Sequence, residues 1–237
     1  MIEGLPLYVP VIFLVTTLAT IWFLMAASKP AGASSFGYKG ILFLVPLWLL
    51  LTGFLATTDF YRNPTAMPPR VFVFAVWPAT FLVVAYFIFF RRSFISKLSL
   101  KHLTLLQVVR VPVEIVLLWL FQAGQVPEIM TFEGWNFDIL SGITAPIVYF
   151  LAFRNGSINR PLLIVWNLLA LGLLANIVTL AVLSFQGPMQ RLAFEQPNVG
   201  VTYLPFIWLP AIVVPIVLFA HLASLYNSLR APRPQSI

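Results

Sequence analysis

Residues 103–122 read LTLLQVVRVPVEIVLLWLFQ, a run long enough to cross a bilayer as a helix, with Gln107, Arg110 and Glu114 near its centre. At about 100° per residue these three fall within roughly a third of the helix circumference and share one face. A charge at mid-bilayer costs about 2.5–3.5 kcal/mol or more, so such a face looks into a bundle and its charges find partners. Arg110 and Glu114 stand at i, i+4 and are expected to satisfy each other. Pro112 between them frees the carbonyl of Val108, which gives Gln107 or Arg110 a further polar group to meet.

A helix with a polar inner face needs neighbours, and the chain supplies them. Apolar segments run over about 5–27, 41–58, 71–90, 103–122, 137–153, 161–185 and 203–226, each bounded by charges, Pro or Gly. The second and fifth are the shortest, ended by Asp59 and Arg154. Open strands leave backbone groups unpaired in lipid, and the short alternating segments of a barrel are not seen. The expected fold class is therefore an all-α integral membrane protein. It is read as one domain over residues 1–237, a bundle of about seven transmembrane helices with a short tail over 227–237. Composition agrees: 60% of residues are hydrophobic and 9% charged, against roughly 45–50% and 25% in a soluble domain. There is no cysteine, which excludes disulfides, thiolate metal sites and thiol nucleophiles.

The net charge of +7 sits in short clusters between apolar runs, a pattern of membrane orientation rather than of a nucleic-acid-binding face. Lys29, Lys39, Arg91, Arg92, Lys97, Lys101, Arg154, Arg160, Arg230 and Arg233 fall after the odd-numbered helices, and only Arg62, Arg70 and Arg191 fall after the even ones. The positive-inside rule then puts the N-terminus outside and the C-terminus in the cytoplasm. The first residues lack the basic start of a signal peptide, and the first apolar run is long enough to stay as a span. A bacterial inner membrane is the expected location, with membrane lipids as the immediate partners.

Several residues qualify as ligand or relay candidates. Arg110 suits an anionic or carbonyl-bearing ligand, Glu114 suits proton exchange, and Gln107 shares their face; the competing interpretation is an ion pair that locks the helix to its neighbours. In the sixth segment Asn167 and Asn176 lie on opposite faces, and Asn176, with Thr179 and Gly172 nearby, is the expected interior one. Asp138, with Asn136 just before it, stands at the outer end of the fifth segment, where an acid suits helix capping or, more sharply, a cation gate. His102 and His221 are the only histidines and form the sole conceivable pair of axial haem ligands; metal-site spacings are absent, and no cofactor is expected. Prolines inside the segments, including Pro46, Pro78, Pro112, Pro146, Pro210 and Pro215, predict kinks, most of all in the seventh.

No nucleophile–base set or pair of catalytic carboxylates stands out, which argues against an enzyme. The topology is shared with rhodopsins, but Lys29, Lys39, Lys97 and Lys101 all fall in expected loops, so no lysine in the last helix is available to retinal. Topology alone does not establish kinship. The residues point first to a small-solute transporter or channel with a polar site near the midplane around Arg110 and Glu114. The alternative is a non-catalytic, receptor-like or accessory membrane protein that holds a lipid, a hydrophobic ligand or a partner protein.

Overall fold

A computed structural model describes residues 2–230, and the part of the expected tail beyond 230 lies outside the described residues. In chain order the helices are α1 (Tyr8–Ala31), α2 (Phe36–Thr57), α3 (Phe72–Phe90), α4 (Leu100–Gln122), the shorter apolar α5 (Ile139–Ala152), α6 (Arg160–Leu183) and α7 (Leu209–Leu229); the six other than α5 are long and apolar enough to cross a membrane. Among the described residues the one strand-like feature is a bridge between Phe185 and Asn198. Large apolar side chains face outward along the bundle, among them Phe43, Leu50, Phe54, Phe81, Phe89, Phe150 and Leu169. Water would not tolerate so wide an apolar belt, and lipid requires it. The protein is a helical membrane protein.

Helix ends differ from the apolar segments for local reasons. Helix α2 starts at Phe36 rather than 41, because Ser35 caps it by accepting from Tyr38 N at 3.4 Å and Lys39 is absorbed into the first turn. Helix α7 starts at Leu209 rather than 203: Pro205 falls in the preceding turns, and Pro210 occupies the first turn, where its missing N–H costs nothing. Its far end runs on to Leu229, past the expected 226. Lys101 lies in the first turn of α4 rather than in a loop. Both α3 and α7 open on a π-helical turn, Phe72–Val76 and Leu209–Val213, each followed by a proline, Pro78 or Pro215. The wider turn moves the carbonyl four residues back away from the proline ring. In α4 the strain of Pro112 is met by a tight 3-10 turn at Gln107–Val109.

Helices α4 and α7 form the interior. Helix α4 packs on α1, α5 and α7, and α7 packs on α1, α2, α3, α4 and α6. One end of the bundle is basic: Ser99 N donates to Ala27 O, Asn227 Nδ2 donates to Ile95 O, and the Arg160 guanidinium donates to the Arg230 carbonyl. At the opposite end Gln196 Nε2 donates to the carbonyls of Phe121 and Val126 at 2.8 and 2.7 Å.

Helix α5 does not reach that opposite end. Its 14 residues extend about 21 Å, against a hydrocarbon core of about 30 Å. It begins beside Arg110, twelve residues before α4 ends at Gln122 and so about 18 Å inside the bundle. The chain from 123 to 138 covers the remaining distance as turns and a short 3-10 helix, with Met130, Thr131 and Asn136 buried. Irregular backbone at such depth is tolerated only when protein or a cavity surrounds it.

Close approach of α4 and α5 rests on Gly142, where a Cβ would lie 2.7 Å from Val111 Cγ2 and 2.9 Å from Val111 N. Replacing Gly142 by valine should push the two helices apart and cost about 1–3 kcal/mol, read as a lowered unfolding midpoint in detergent. An unchanged midpoint would mean that this contact does not set the helix spacing.

Candidate functional site

The polar face of α4 meets three other helices in one buried network. Arg110 is 2% exposed and Glu114 1%. The guanidinium of Arg110 holds the Asp138 carboxylate with two parallel hydrogen bonds, Nε to Oδ2 at 2.6 Å and Nη2 to Oδ1. Nη2 also donates to the Ala170 carbonyl on α6 at 3.2 Å, and Nη1 donates to His221 Nε2 on α7 at 3.0 Å. Four of the five guanidinium N–H groups are thereby used.

Because arginine only donates, His221 Nε2 must accept, which puts the ring hydrogen on Nδ1. Nδ1 then donates to Asn167 Oδ1 at 2.7 Å, and Asn167 Nδ2 donates to the Leu163 carbonyl at 2.7 Å and to Ser224 Oγ at 3.1 Å. Ser228 lies one turn beyond Ser224, and Arg160 Nη1 reaches the Ser228 carbonyl at 3.5 Å. The hydrogen-bonded file of side chains thus runs from Arg110 through His221 and Asn167 to Ser224, and the Ser228 hydroxyl, one turn nearer the basic end, has no partner among the described residues.

On its other side the network passes through Asn136. Asn136 Nδ2 donates to Glu114 Oε2 at 2.6 Å and to the Met130 carbonyl at 2.9 Å, while its Oδ1 accepts from Asp138 N at 3.0 Å. This one amide ties the buried 123–138 segment to α4 and fixes the turn that leads into α5.

The geometry corrects several expectations. Arg110 is paired with Asp138 rather than with Glu114, since a residue 28 positions away on a facing helix offers a bidentate approach that an i+4 neighbour on the same helix cannot. With four of its five N–H groups taken, Arg110 has no fork left for an anionic ligand. Asp138 does stand at the start of α5 but makes no capping hydrogen bond with its side chain, while Asn136 accepts from the Asp138 N–H in an Asx turn that leads the chain into the helix. Of the two asparagines on α6, Asn167 is the interior one. Asn176 is half-buried and donates to the Trp135 carbonyl at 2.8 Å, which pins the 123–138 segment. Both ring nitrogens of His221 are engaged, leaving none for a haem iron, and His102 sits at the start of α4 with Nδ1 2.9 Å from Ser99 Oγ. Gln107 is buried with neither amide atom hydrogen-bonded among the described residues. Asn136 was the member hardest to see, because it lies in an apparent loop; its signal is the Asn-Phe-Asp sequence ahead of an unusually short apolar run.

Glu114 also faces space. It lines a cavity of about 110 Å³ between α3, α4, α6 and α7, whose other walls are almost all apolar, including Phe72, Leu117, Ile177 and Val214. Phe185 and Asn198 line this cavity and also a polar cleft of about 500 Å³ at the opposite end, formed by the 61–64, 185–186 and 197–203 segments. Arg62 lines that cleft, pairs with the exposed Asp59, and has its guanidinium 4.6 Å from the Tyr203 ring centre. Tyr61 lines it too, and burial pushes its phenol up to about 12, so the hydroxyl stays protonated.

Residues 67–229 match the family model described as "Domain of unknown function (DUF8737)", and the chain belongs to that family. The matched region takes in Arg110, Glu114, Asn136, Asp138, Asn167 and His221. No curated protein and no solved structure matches the chain.

Removing one partner of a buried ion pair leaves the other uncompensated, so Arg110→Ala should cost about 3–5 kcal/mol, while the paired replacement Arg110→Met with Asp138→Leu should recover most of it. Unfolding measurements on the corresponding double-mutant cycles check the pairing. Coupling stronger between 110 and 114 than between 110 and 138 would show that the guanidinium has the other partner.

Proposed function

We propose that this member of the family is a small-solute transporter whose central site is the Glu114 carboxylate, held beside the Arg110–Asp138 pair near the middle of the bilayer. The observation that carries the reading is the line of polar features through the bundle. It comprises a polar cleft at one end, a chamber with a carboxylate at its floor, and a file through His221, Asn167 and Ser224 toward the other end. Interhelical hydrogen bonds can hold a bundle together in lipid, but that role does not call for a carboxylate at the floor of an apolar chamber.

The buried, irregular 123–138 segment supports the same reading. Helices that begin inside the membrane, with irregular backbone beside a cavity, are a recurring way to build substrate sites in secondary transporters. The Arg110 cluster joins four helices and closes the path, which favours a carrier that rearranges over an open channel. In this proposal α5 with the 123–138 segment makes up a seventh crossing. The basic end faces the cytoplasm of a bacterial inner membrane, and the cleft faces outside.

A second reading has one observation in its favour. A wholly apolar cavity of about 90 Å³ lies between α1, α2, α3 and α7, lined by Leu24, Ile41, Trp48, Val83 and Phe219 among others. It suits an accessory or receptor-like protein that holds a lipid tail.

Two measurements test the proposal. The chain has no cysteine, so single cysteines report topology cleanly: Thr65→Cys should react with an impermeant maleimide from outside and Ser93→Cys only after the membrane is opened. The opposite labelling pattern would invert the orientation. In proteoliposomes, solute-evoked currents over a panel of protons, alkali cations, amines, amino acids and sugars should include at least one that Glu114→Gln abolishes while the protein stays folded. Equal currents in that variant would remove Glu114 from the site.

A further inference from the structure

The open valences of the Glu114 chamber specify what fits it. Two carboxylates and one guanidinium are buried together, and the guanidinium is committed to Asp138. Glu114 accepts one hydrogen bond, from Asn136, and no other among the described residues. At the outer end of the chamber Asn198 is 1% exposed; its Nδ2 donates to the Ala181 carbonyl at 3.1 Å, and its Oδ1 has no partner among the described residues. Both unfilled oxygens are acceptors, and the one spare donor is the second N–H of Asn198 Nδ2. An anion would meet that single amide N–H and no free cationic group to offset the Glu114 carboxylate beside it.

A bare metal ion fits poorly as well. Of the oxygens that line the chamber, those of Asp138 are already held by Arg110, which leaves one carboxylate and one amide oxygen among apolar walls, too few for a hard cation that must give up its water shell. The walls themselves ask for carbon: Val71, Val113, Leu117, Leu174 and Ile177 line the chamber, and the rings of Phe72 and Phe185 stand 5.3 Å apart at its rim. Aromatic faces favour a cation that is already partly desolvated.

We propose that the chamber binds a small organic ammonium ion, its N–H groups donated to Glu114 and its hydrocarbon part packed against the apolar walls. This rests on the reading of Glu114 as the central site. Charge agrees: an ammonium supplies the cationic partner that Glu114 lacks while Arg110 is committed to Asp138.

The test uses the full-length chain in lipid nanodiscs, with butylammonium, its neutral analogue butan-1-ol, and butanoate as probes in equilibrium binding. Butylammonium should bind saturably, at least tenfold more tightly than butan-1-ol, and butanoate should not bind. Glu114→Gln should weaken butylammonium at least tenfold. Ala181→Phe, which fills the chamber and leaves the carboxylate in place, should weaken it as much. Equal binding of amine and alcohol, or amine binding untouched by either substitution, overturns the assignment. The two proposals fail separately. Glu114-dependent currents carried by protons or other solutes without amine binding would sink the ligand class and keep the transport site; Glu114-dependent amine binding without flux would keep the ligand and end the transport reading.

Discussion

A guanidinium cannot be left bare in a low-dielectric interior, and much of this architecture follows from where Arg110 has to find its partner. The cost of desolvating two charges is recovered only when geometry is good and the remaining donors are filled. Here the fork meets Asp138 in parallel, and the leftover N–H groups go to a carbonyl on α6 and an imidazole on α7. Three helices are thereby positioned against α4 by directional bonds, in a setting where lipid tails give no hydrophobic preference for one helix–helix packing over another.

That requirement explains the shape of α5. Asp138 must lie level with Arg110, about 18 Å below the end of α4, so the helix it opens can only be short. The chain above it must then fold inside the protein. Asn136 makes this affordable, answering the Glu114 carboxylate, the Met130 carbonyl and the backbone of Asp138 with one side chain. Gly142 lets the two helices touch closely enough for the ion pair to form. Short helix, buried turn and close helix contact are thus consequences of one charge.

How far the sequence foretells this depends on the range of the interaction. The long helices are legible because lipid selects apolar runs by length, and the inward face of α4 is legible because Gln107, Arg110 and Glu114 share an angular sector within one helix. Pairing across helices is not. At i, i+4 Glu114 looks like the natural partner of Arg110, and only the facing of α5 brings Asp138 closer in a better geometry. The choice between Asn167 and Asn176 fails for the same reason: they point to opposite sides of α6, and which side meets α7 is a property of the assembled bundle. Residues 137–153 do carry a hint, since a run that short beside an acid poses the question of where the helix begins.

Once Arg110 belongs to Asp138, the two acids of the cluster acquire different characters. Asp138 is spoken for on both oxygens and serves as ballast; exchanging it would free a buried cation. Glu114 has one oxygen held by an amide and a side chain at the floor of an apolar chamber, so it can gain or lose a positive partner without unpairing anything else. Had Arg110 paired with Glu114 instead, every change of ligand would have broken the bond that positions four helices. In the proposed site, keeping the structural carboxylate apart from the one that would exchange partners would let the charge change while the bundle keeps its shape, and this division of labour makes a functional role for Glu114 compatible with a stable membrane protein.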